Sequence, residues 1–260
     1  MKKFLAFALA IVMVVALCAC GSSAAPAAPA APAAPEAPAA PEAFTFTMGI
    51  DAEYPPFSYL DDNGEYAGFD VEICRAACEK LGWNFEVFGV NWDQKLIQLD
   101  AGECDCVWSG MTIVDTMKKK GYVLSAPYFE NGQVVVVKAD SGIASVADLA
   151  GKYVAVQGGS MAEEVLTLEE YGYADVLASI AEVKTVDEYL TAIMDLQSGM
   201  IDAILIDEVV GQYEIAQLEA ADLVCVGNLC DDLYGIGFRK ADEALEAKVW
   251  ETLTEMAKDG

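Results

Sequence analysis

The sequence contains no histidine, and it has only 15 lysine and arginine residues against 42 acidic residues. Histidine is the commonest general base and metal ligand near neutral pH, so its absence excludes histidine-based nucleophilic catalysis and histidine-ligated metal sites. The formal net charge of −27 would repel nucleic acid and anionic membrane surfaces. Composition therefore excludes nucleic-acid-binding classes and favours an acidic, soluble protein, without indicating its fold.

The eight cysteines lack the paired CxxC spacing of a zinc site. Cys74 and Cys78 are four apart on a predicted helix, where Cβ atoms lie ~5–6 Å apart, whereas a disulfide needs ~3.8 Å. Cys104 and Cys106 are two apart on a predicted strand and are again too far apart to bridge comfortably. The Cys225–Cys230 segment could close a tight loop through a disulfide, or both thiols could stay free. We expect no metal and no cofactor.

The only long apolar run without a charge lies at the N-terminus. The basic segment Met1–Lys3 precedes Phe4–Leu17, which is shorter than the ~20 residues of a membrane-spanning helix. The following Leu17–Gly21 segment resembles a bacterial lipobox, with small Ala19 before Cys20. We therefore predict a lipoprotein signal peptide over residues 1–20, with lipidation at Cys20. An ordinary secretory signal with two incidental cysteines is the alternative.

An alanine- and proline-rich segment follows, over residues 21–43. Its prolines recur at every third position from Pro26 to Pro41. This period blocks α-helix and matches the three-residue turn of polyproline II. At ~3.1 Å per residue, a twenty-residue stretch of this kind reaches ~60 Å, so we predict a stalk.

From Phe44 onward, apolar strand-like segments alternate with amphipathic helical ones, which predicts an α/β fold. The predicted strands are Phe44–Ile50, Asn84–Val90, Cys104–Trp108, Gln133–Lys138, Tyr153–Gln157, Ala181–Val186, Ile201–Asp207 and Tyr234–Arg239. The predicted helices are Val71–Leu81, Trp92–Ala101, Met161–Tyr171, Asp187–Ser198, Glu208–Leu218 and Asp242–Lys258. This length fits one large domain or two small ones, and composition does not choose between them.

The most informative segment is Gly68–Leu81. A glycine ends an extended stretch, Asp70 and Glu72 suit the first turn of a helix, and apolar residues then recur at helical spacing. These residue identities resemble the signature of the bacterial extracellular solute-binding proteins, family 3, which feed polar amino acids to ABC importers.

The resemblance implies a two-lobed, periplasmic-binding-protein-like α/β fold of type II, with two crossover strands as the hinge. Lobe 1 would span residues 44–132 plus 234–260, and lobe 2 would span residues 133–233. It also implies an extracytoplasmic substrate-binding lipoprotein that is a monomer, is anchored to the outer face of the cell membrane, and works with the transmembrane subunits of an ABC permease. Its ligand would be a small polar amino acid or analogue.

The first group of site residues follows strands of lobe 1. Asp51 and Tyr54 follow the first strand, and the resemblance implies that Tyr54 stacks on the ligand while Asp51 contacts its side chain. The alternative is that Tyr54 and Phe57 merely plug the lobe. Trp92 matches a second aromatic wall, although it could instead be the buried first residue of its helix.

The block Ser109, Gly110 and Thr112 matches the family and would supply hydroxyl and backbone groups to the ligand's ammonium and carboxylate. Five residues beyond Thr112 the family usually has an arginine that clamps the carboxylate, whereas this sequence has Met117. Lys118 could reach in as a point charge, the ligand could lack a free carboxylate, or binding could be weak.

The second group belongs to lobe 2. Gln157, Gly159, Ser160 and Met161 lead from a strand into a helix, and the matching turn in the family touches the ligand carboxylate. Asp207 ends a strand and matches the carboxylate that binds the ligand's ammonium, although it could simply cap the next helix.

Two other functions remain open at this point. One is a cyclohexadienyl-dehydratase-like enzyme on the same fold, which would need a tuned carboxyl group or lysine in the cleft. The other is a ligand sensor without a transport role. We favour the transport receptor and expect no enzymatic activity.

Overall fold

The computed structural model of the chain describes residues 43–260. The predicted signal peptide, Cys20 and nearly all of the predicted stalk therefore lie outside the described residues. Over the described range, none of the helices combines the length and the apolar character needed to cross a membrane.

Strands and helices alternate along these residues. The strands are β1 (Thr45–Ile50), β2 (Glu53–Tyr54), β3 (Ser58–Leu60), β4 (Tyr66–Ala67), β5 (Asn84–Gly89), β6 (Cys106–Val107), β7 (Val123–Leu124), β8 (Phe129–Lys138), β9 (Tyr153–Gln157), β10 (Glu182–Val186), β11 (Ala203–Asp207), β12 (Leu223–Tyr234) and β13 (Gly237–Phe238). The helices are α1 (Phe69–Leu81), α2 (Lys95–Ala101), α3 (Asp115–Lys119), α4 (Met161–Thr167), α5 (Ala174–Ser179), α6 (Tyr189–Ser198), α7 (Glu208–Gln217) and α8 (Glu243–Asp259). Short 3-10 turns cover Trp92–Gln94, Val146–Leu149 and Glu169–Tyr171.

Two five-stranded sheets organise the molecule, and each is the centre of one lobe. The sheet of lobe 1 has the order β5-β1-β6-β13-β7, with β5, β1 and β6 parallel and β13 antiparallel to both of its neighbours. The sheet of lobe 2 has the order β10-β9-β11-β8-β12, with β10, β9 and β11 parallel. A small antiparallel sheet, β2-β3-β4, accompanies lobe 1. The predicted α/β class and the two-lobed arrangement are confirmed.

The chain passes between the two sheets twice, from β7 into β8 and from β12 into β13. The strands β8 and β12 pair antiparallel along their whole length, from Lys138 opposite Leu223 to Phe129 opposite Tyr234. The two connections are therefore bonded to each other, as expected of a two-stranded hinge.

The sequence prediction is wrong around this second connection. Tyr234–Arg239 is not one strand, because Tyr234 ends β12 and only Gly237–Phe238 forms β13. The long strand Leu223–Tyr234 was not predicted. Its Gly227–Asn228 pair has the composition of a turn, but both residues lie within the strand. The register of the pairing with β8 shifts on either side of Asn228.

The predicted amphipathic face of α1 is confirmed. Val71, Cys74, Ala77 and Cys78 are buried, and Leu81 at the helix end is half-buried. This face packs in the core of lobe 1 together with β1, and Asp70 at its N-terminal end is also fully buried. Gly68–Leu81 therefore builds the scaffold of lobe 1.

All six cysteines of the described range are free. Cys225 and Cys230 lie on the same strand, β12. Five residues of extended chain span ~16 Å, which is well beyond the ~6 Å between Cα atoms of a disulfide. The alternative of a disulfide-closed loop is therefore not realised in the structure.

Candidate functional site

A cleft lies between the two lobes, and its lining comes from both. Nine of the eleven predicted site residues line it: Tyr54, Trp92, Gly110, Thr112, Gln157, Gly159, Ser160, Met161 and Asp207. The strand ends and loops therefore converge as the sequence pattern predicts for an α/β fold.

The remaining two predicted residues, Asp51 and Ser109, lie behind the cleft lining. The Ser109 hydroxyl accepts a hydrogen bond from the Asp51 backbone N–H at 3.1 Å and bonds to the Ser58 hydroxyl at 2.5 Å. The Asp51 carboxylate accepts one from the Gln157 amide of lobe 2 at 2.5 Å, and burial raises the pKa of Asp51. In this structure Asp51 thus accepts a hydrogen bond from the cleft residue Gln157 and joins the two lobes.

Two aromatic residues form one wall of the cleft. The rings of Tyr54 and Trp92 are nearly parallel, at 11°, with centroids 6.4 Å apart. Both side chains are buried, and the Tyr54 hydroxyl bonds to that of Tyr234 at 2.9 Å. Trp92 also begins the 3-10 turn before α2, so it both lines the cleft and packs in lobe 1.

Because Gly110 has no side chain, the rings of Tyr54 and Tyr234 can pack closely against its backbone. It has φ +54, and a Cβ there would lie 2.5 Å from the Tyr54 ring and 3.0 Å from the Tyr234 ring. Its N–H donates to the Asp70 carboxylate at 2.8 Å. Burial raises the pKa of Asp70 to about 7. Gly110 therefore shapes the cleft, while its N–H is already engaged with α1.

Asp207 lies at one end of the cleft and is almost completely buried. Its Oδ1 accepts hydrogen bonds from Asn131 at 2.8 Å, Gln133 at 2.6 Å and the Tyr234 hydroxyl at 2.7 Å. Its side chain makes no capping bond to α7, so the helix-cap alternative is not realised. Burial and, second, the nearby charge of Asp232 raise the pKa of Asp207 to about 6.

Asp232 is a second buried carboxyl group at this end, which the sequence analysis missed. Its Oδ2 accepts hydrogen bonds from the Thr112 hydroxyl at 2.8 Å and from the same Gln133 amide at 2.9 Å. Its Oδ1 is buried without a partner, and burial raises its pKa. Among the described residues, no lysine or arginine forms a salt bridge with Asp207 or Asp232. Buried carboxylates without a cation are costly, so this end is suited to a positively charged group.

At another part of the cleft, the lobe 2 turn at Gly159 lies directly on lobe 1. The Lys95 ammonium, at the start of α2, donates to the Gly159 carbonyl at 2.6 Å and to the Trp92 carbonyl at 3.1 Å. The Ser160 hydroxyl accepts from the Glu163 N–H at 3.2 Å, and the Glu163 carboxylate accepts from the Gly159 N–H at 2.7 Å. The turn is therefore held on both sides, by Lys95 of lobe 1 and by Glu163 of its own lobe.

The lysines after Met117 are placed differently from the expectation. Met117 is buried and lines the cleft. Lys118 points away, to Asp115 at 3.7 Å on the exposed surface, because neighbouring residues of a helix face different directions. The lysine of this run that lines the cleft is Lys120. The proposal that Lys118 reaches in as a point charge is therefore wrong for this structure.

The sequence did not identify several polar residues of the site, among them Lys95, Asn131, Gln133 and Asp232. Lys95 is one helical turn past Trp92, but its sequence context is that of an ordinary surface lysine. The other three come from the paired strands β8 and β12. The predicted crossover strand begins at Gln133 and so stops short of Asn131, and no strand is predicted at Asp232. A strand prediction that included Leu223–Tyr234 would have brought Asp232 close to Gln133.

The fold and the interlobe cleft define a two-lobed ligand-binding protein. Its sequence matches the bacterial extracellular solute-binding proteins, family 3, over residues 46–260. The chain belongs to this family.

Three similar proteins illustrate the relationship. The L-cystine-binding protein of Escherichia coli (strain K12) is 34% identical over 221 residues, covering 84% of this chain and 80% of that protein. A solved structure described as an ancestral arginine-binding protein bound to glutamine has a TM-score of 0.75 at 37% identity, covering 83% of this chain and 93% of that one. A histidine-bound substrate-binding protein of an ABC uptake transporter from Streptococcus pneumoniae has a TM-score of 0.78 at 29% identity, covering 83% and 88%.

Proposed function

We propose that this protein is the extracytoplasmic substrate-binding component of an ABC importer, which closes its two lobes around a small polar amino acid or a close analogue. The observation that carries the proposal is the buried Asp207 at the cleft, which shares the Gln133 amide donor with Asp232 and has no cationic partner among the described residues. An α-ammonium group supplies the missing charge. Tyr54 and Trp92 form an aromatic wall beside it.

The proposed function requires the two lobes to move relative to each other. The bonds from Gln157 to Asp51 and from Lys95 to Gly159 join lobe 2 to lobe 1 across the cleft. A ligand that contacts both lobes favours the closed arrangement in which these bonds form. The permease then recognises the closed, ligand-bound protein. The protein acts as a monomer that binds and releases its ligand without changing it.

Isothermal titration calorimetry tests the function directly. L-Cystine, L-arginine, L-histidine and L-glutamine are titrated into the purified protein, after mass spectrometry has identified and dialysis has removed any small molecule that co-purifies. We expect at least one to bind with a dissociation constant on the order of 1 µM or lower, about −8 kcal/mol. The bound compound should be recovered unchanged. Absence of heat with all four would contradict the proposal, and a chemically altered product would favour the dehydratase-like alternative.

We also infer that the protein is held at the outer face of the cell membrane by a lipid on Cys20, with residues 21–43 as the stalk. The basic and apolar N-terminus and the small residue before Cys20 support this inference. Replacement of Cys20 with serine removes the thiol that would be acylated.

We therefore expect Cys20→Ser to move the protein from the membrane fraction to the soluble extracytoplasmic fraction, as measured by immunoblotting after fractionation. Cys18→Ser is the matched control and should leave the protein with the membrane, because bulky Leu17 precedes Cys18. Membrane retention of Cys20→Ser would refute the lipid anchor.

A further inference from the structure

An amino-acid ligand brings a carboxylate into the cleft, and that charge needs a partner. The position at which the family usually has an arginine is occupied by Met117, which is buried and uncharged. Of the described residues that line the cleft, only Lys95 and Lys120 carry a positive charge. The candidate partner is therefore one of these two lysines.

Lys95 is held in place from three sides. Its Nζ donates to the carbonyl oxygens of Trp92 and Gly159 and lies 4.6 Å from the centroid of the Trp92 ring. An ammonium group has three N–H donors, so one remains after these two bonds. A pre-positioned ammonium loses little conformational freedom when it binds an anion. Lys120 differs, because its residue is exposed.

Lys95 has no direct ionic partner among the described residues. Both hydrogen-bond acceptors are neutral carbonyl groups. Over the described residues, no carboxylate comes within salt-bridge distance of its Nζ. Glu164, which also lines the cleft, and Asp93, Glu163 and Asp51 attract it only at longer range. Burial lowers the pKa of Lys95 to about 8, and an anion bound beside it would stabilise the charged form of the side chain.

We propose that Lys95 binds the α-carboxylate of the amino-acid ligand in the closed protein, in place of the arginine that the family usually has at the position of Met117. This assignment rests on the proposed function and makes it more specific. The ligand is an amino acid with a free α-carboxylate. Because Lys95 also bonds to Gly159 of lobe 2, carboxylate binding and lobe closure share one side chain.

The test compares a free amino acid with its carboxamide, which has the same side chain and ammonium but no carboxylate charge. The probe is whichever of L-arginine, L-histidine, L-glutamine and L-cystine binds the wild-type protein most tightly, together with its α-amide (the diamide for L-cystine). We expect Lys95→Met to weaken binding of the acid at least 30-fold and to weaken binding of the amide at least tenfold less than that, because the amide loses only the bond between Lys95 and Gly159.

Lys118→Met is the matched control, since it removes the same charge from a lysine outside the cleft and should change the affinity for the acid by less than threefold. A second variant, Lys95→Gln, keeps a hydrogen-bond donor toward Gly159 without the charge, and it should show the same loss for the acid. Thermal unfolding of all variants verifies that they are folded.

Equal weakening of acid and amide in both Lys95 variants would assign Lys95 to lobe closure alone and overturn the proposal. Unchanged affinity for the acid would overturn it as well. These results differ from failure of the proposed function, in which the wild-type protein itself binds none of the four amino acids.

Discussion

Asp207→Asn should weaken binding of the amino acid that the wild-type protein binds most tightly by at least 100-fold. The variant keeps the size of the side chain but removes the negative charge that faces the proposed ammonium, and it places an amide among the donors from Asn131 and Gln133. Loss of a buried charge partner typically costs about 3–5 kcal/mol, and about 1.4 kcal/mol corresponds to a tenfold change. Titration calorimetry measures the change in dissociation constant.

Asp231→Asn is the matched control for this variant. Asp231 lies on β12 beside Asp232, but it is exposed and its side chain accepts a hydrogen bond from Asn228 that asparagine can also accept. We expect its affinity to stay within threefold of the wild-type value. If Asp207→Asn behaves like this control, the ammonium site is not at Asp207.

The same residue predicts how binding depends on pH. The pKa of Asp207 is raised to about 6, and the ammonium binds the ionised carboxylate. Lowering the pH from 7 to 5 takes the ligand-free group from mostly ionised to mostly protonated, so binding should weaken by about tenfold. In Asp207→Asn this part of the pH dependence should disappear. A wild-type affinity that is equal at pH 5 and pH 7 would contradict the assigned role.

Gly159→Ala should prevent the lobes from closing and should weaken ligand binding by at least 30-fold. Gly159 has φ +69, and a Cβ there would lie 2.9 Å from the Cα of Asp93 and 3.2 Å from the carbonyl oxygen of Trp92. These are backbone atoms of the opposite lobe, so no side-chain rotation relieves the contact. In small-angle X-ray scattering, the radius of gyration of the variant should not decrease when ligand is added.

Gly64→Ala separates this effect from the strain of a left-handed residue. Gly64 has φ +79, and a Cβ there meets nothing within 4 Å. Both variants carry a conformational cost of roughly 1–2 kcal/mol, but only Gly159→Ala has a clash between lobes. Gly64→Ala should therefore bind and close normally. Normal closure of Gly159→Ala would mean that the ligand-bound lobes approach less closely than in this structure.

Much of the fold could be predicted from local patterns. The strand Tyr153–Gln157 and the buried face of α1 are as predicted, because alternating and helical spacings are properties of a few neighbouring residues. The strand Leu223–Tyr234 could not be predicted in this way. Gly227 and Asn228 look like a turn, and only ten residues of pairing with β8 keep them within a strand.

The residues of the candidate site also fall into those that local sequence identifies and those that it does not. Asp207 and Tyr54 lie at the ends of strands, and α/β proteins bring such positions together, so the sequence alone identifies them as candidates. The partners of Asp207 are separated from it by 27 to 76 residues, and Asp232 is joined to Gln133 across 99 residues. No local pattern carries that information.

The sequence by itself determined the family, the α/β class and most of the residues that surround the cleft, because these depend on local spacing and on residue identity. Only the tertiary structure decided how the charges in the cleft are arranged. Lys118 and Lys95 are equally ordinary lysines in the sequence, yet one bonds to Asp115 at the surface and the other to Gly159 across the cleft. The reason is physical: the environment of a charge is set by the groups that packing brings near it, and for Lys95 those groups include Gly159 of the opposite lobe.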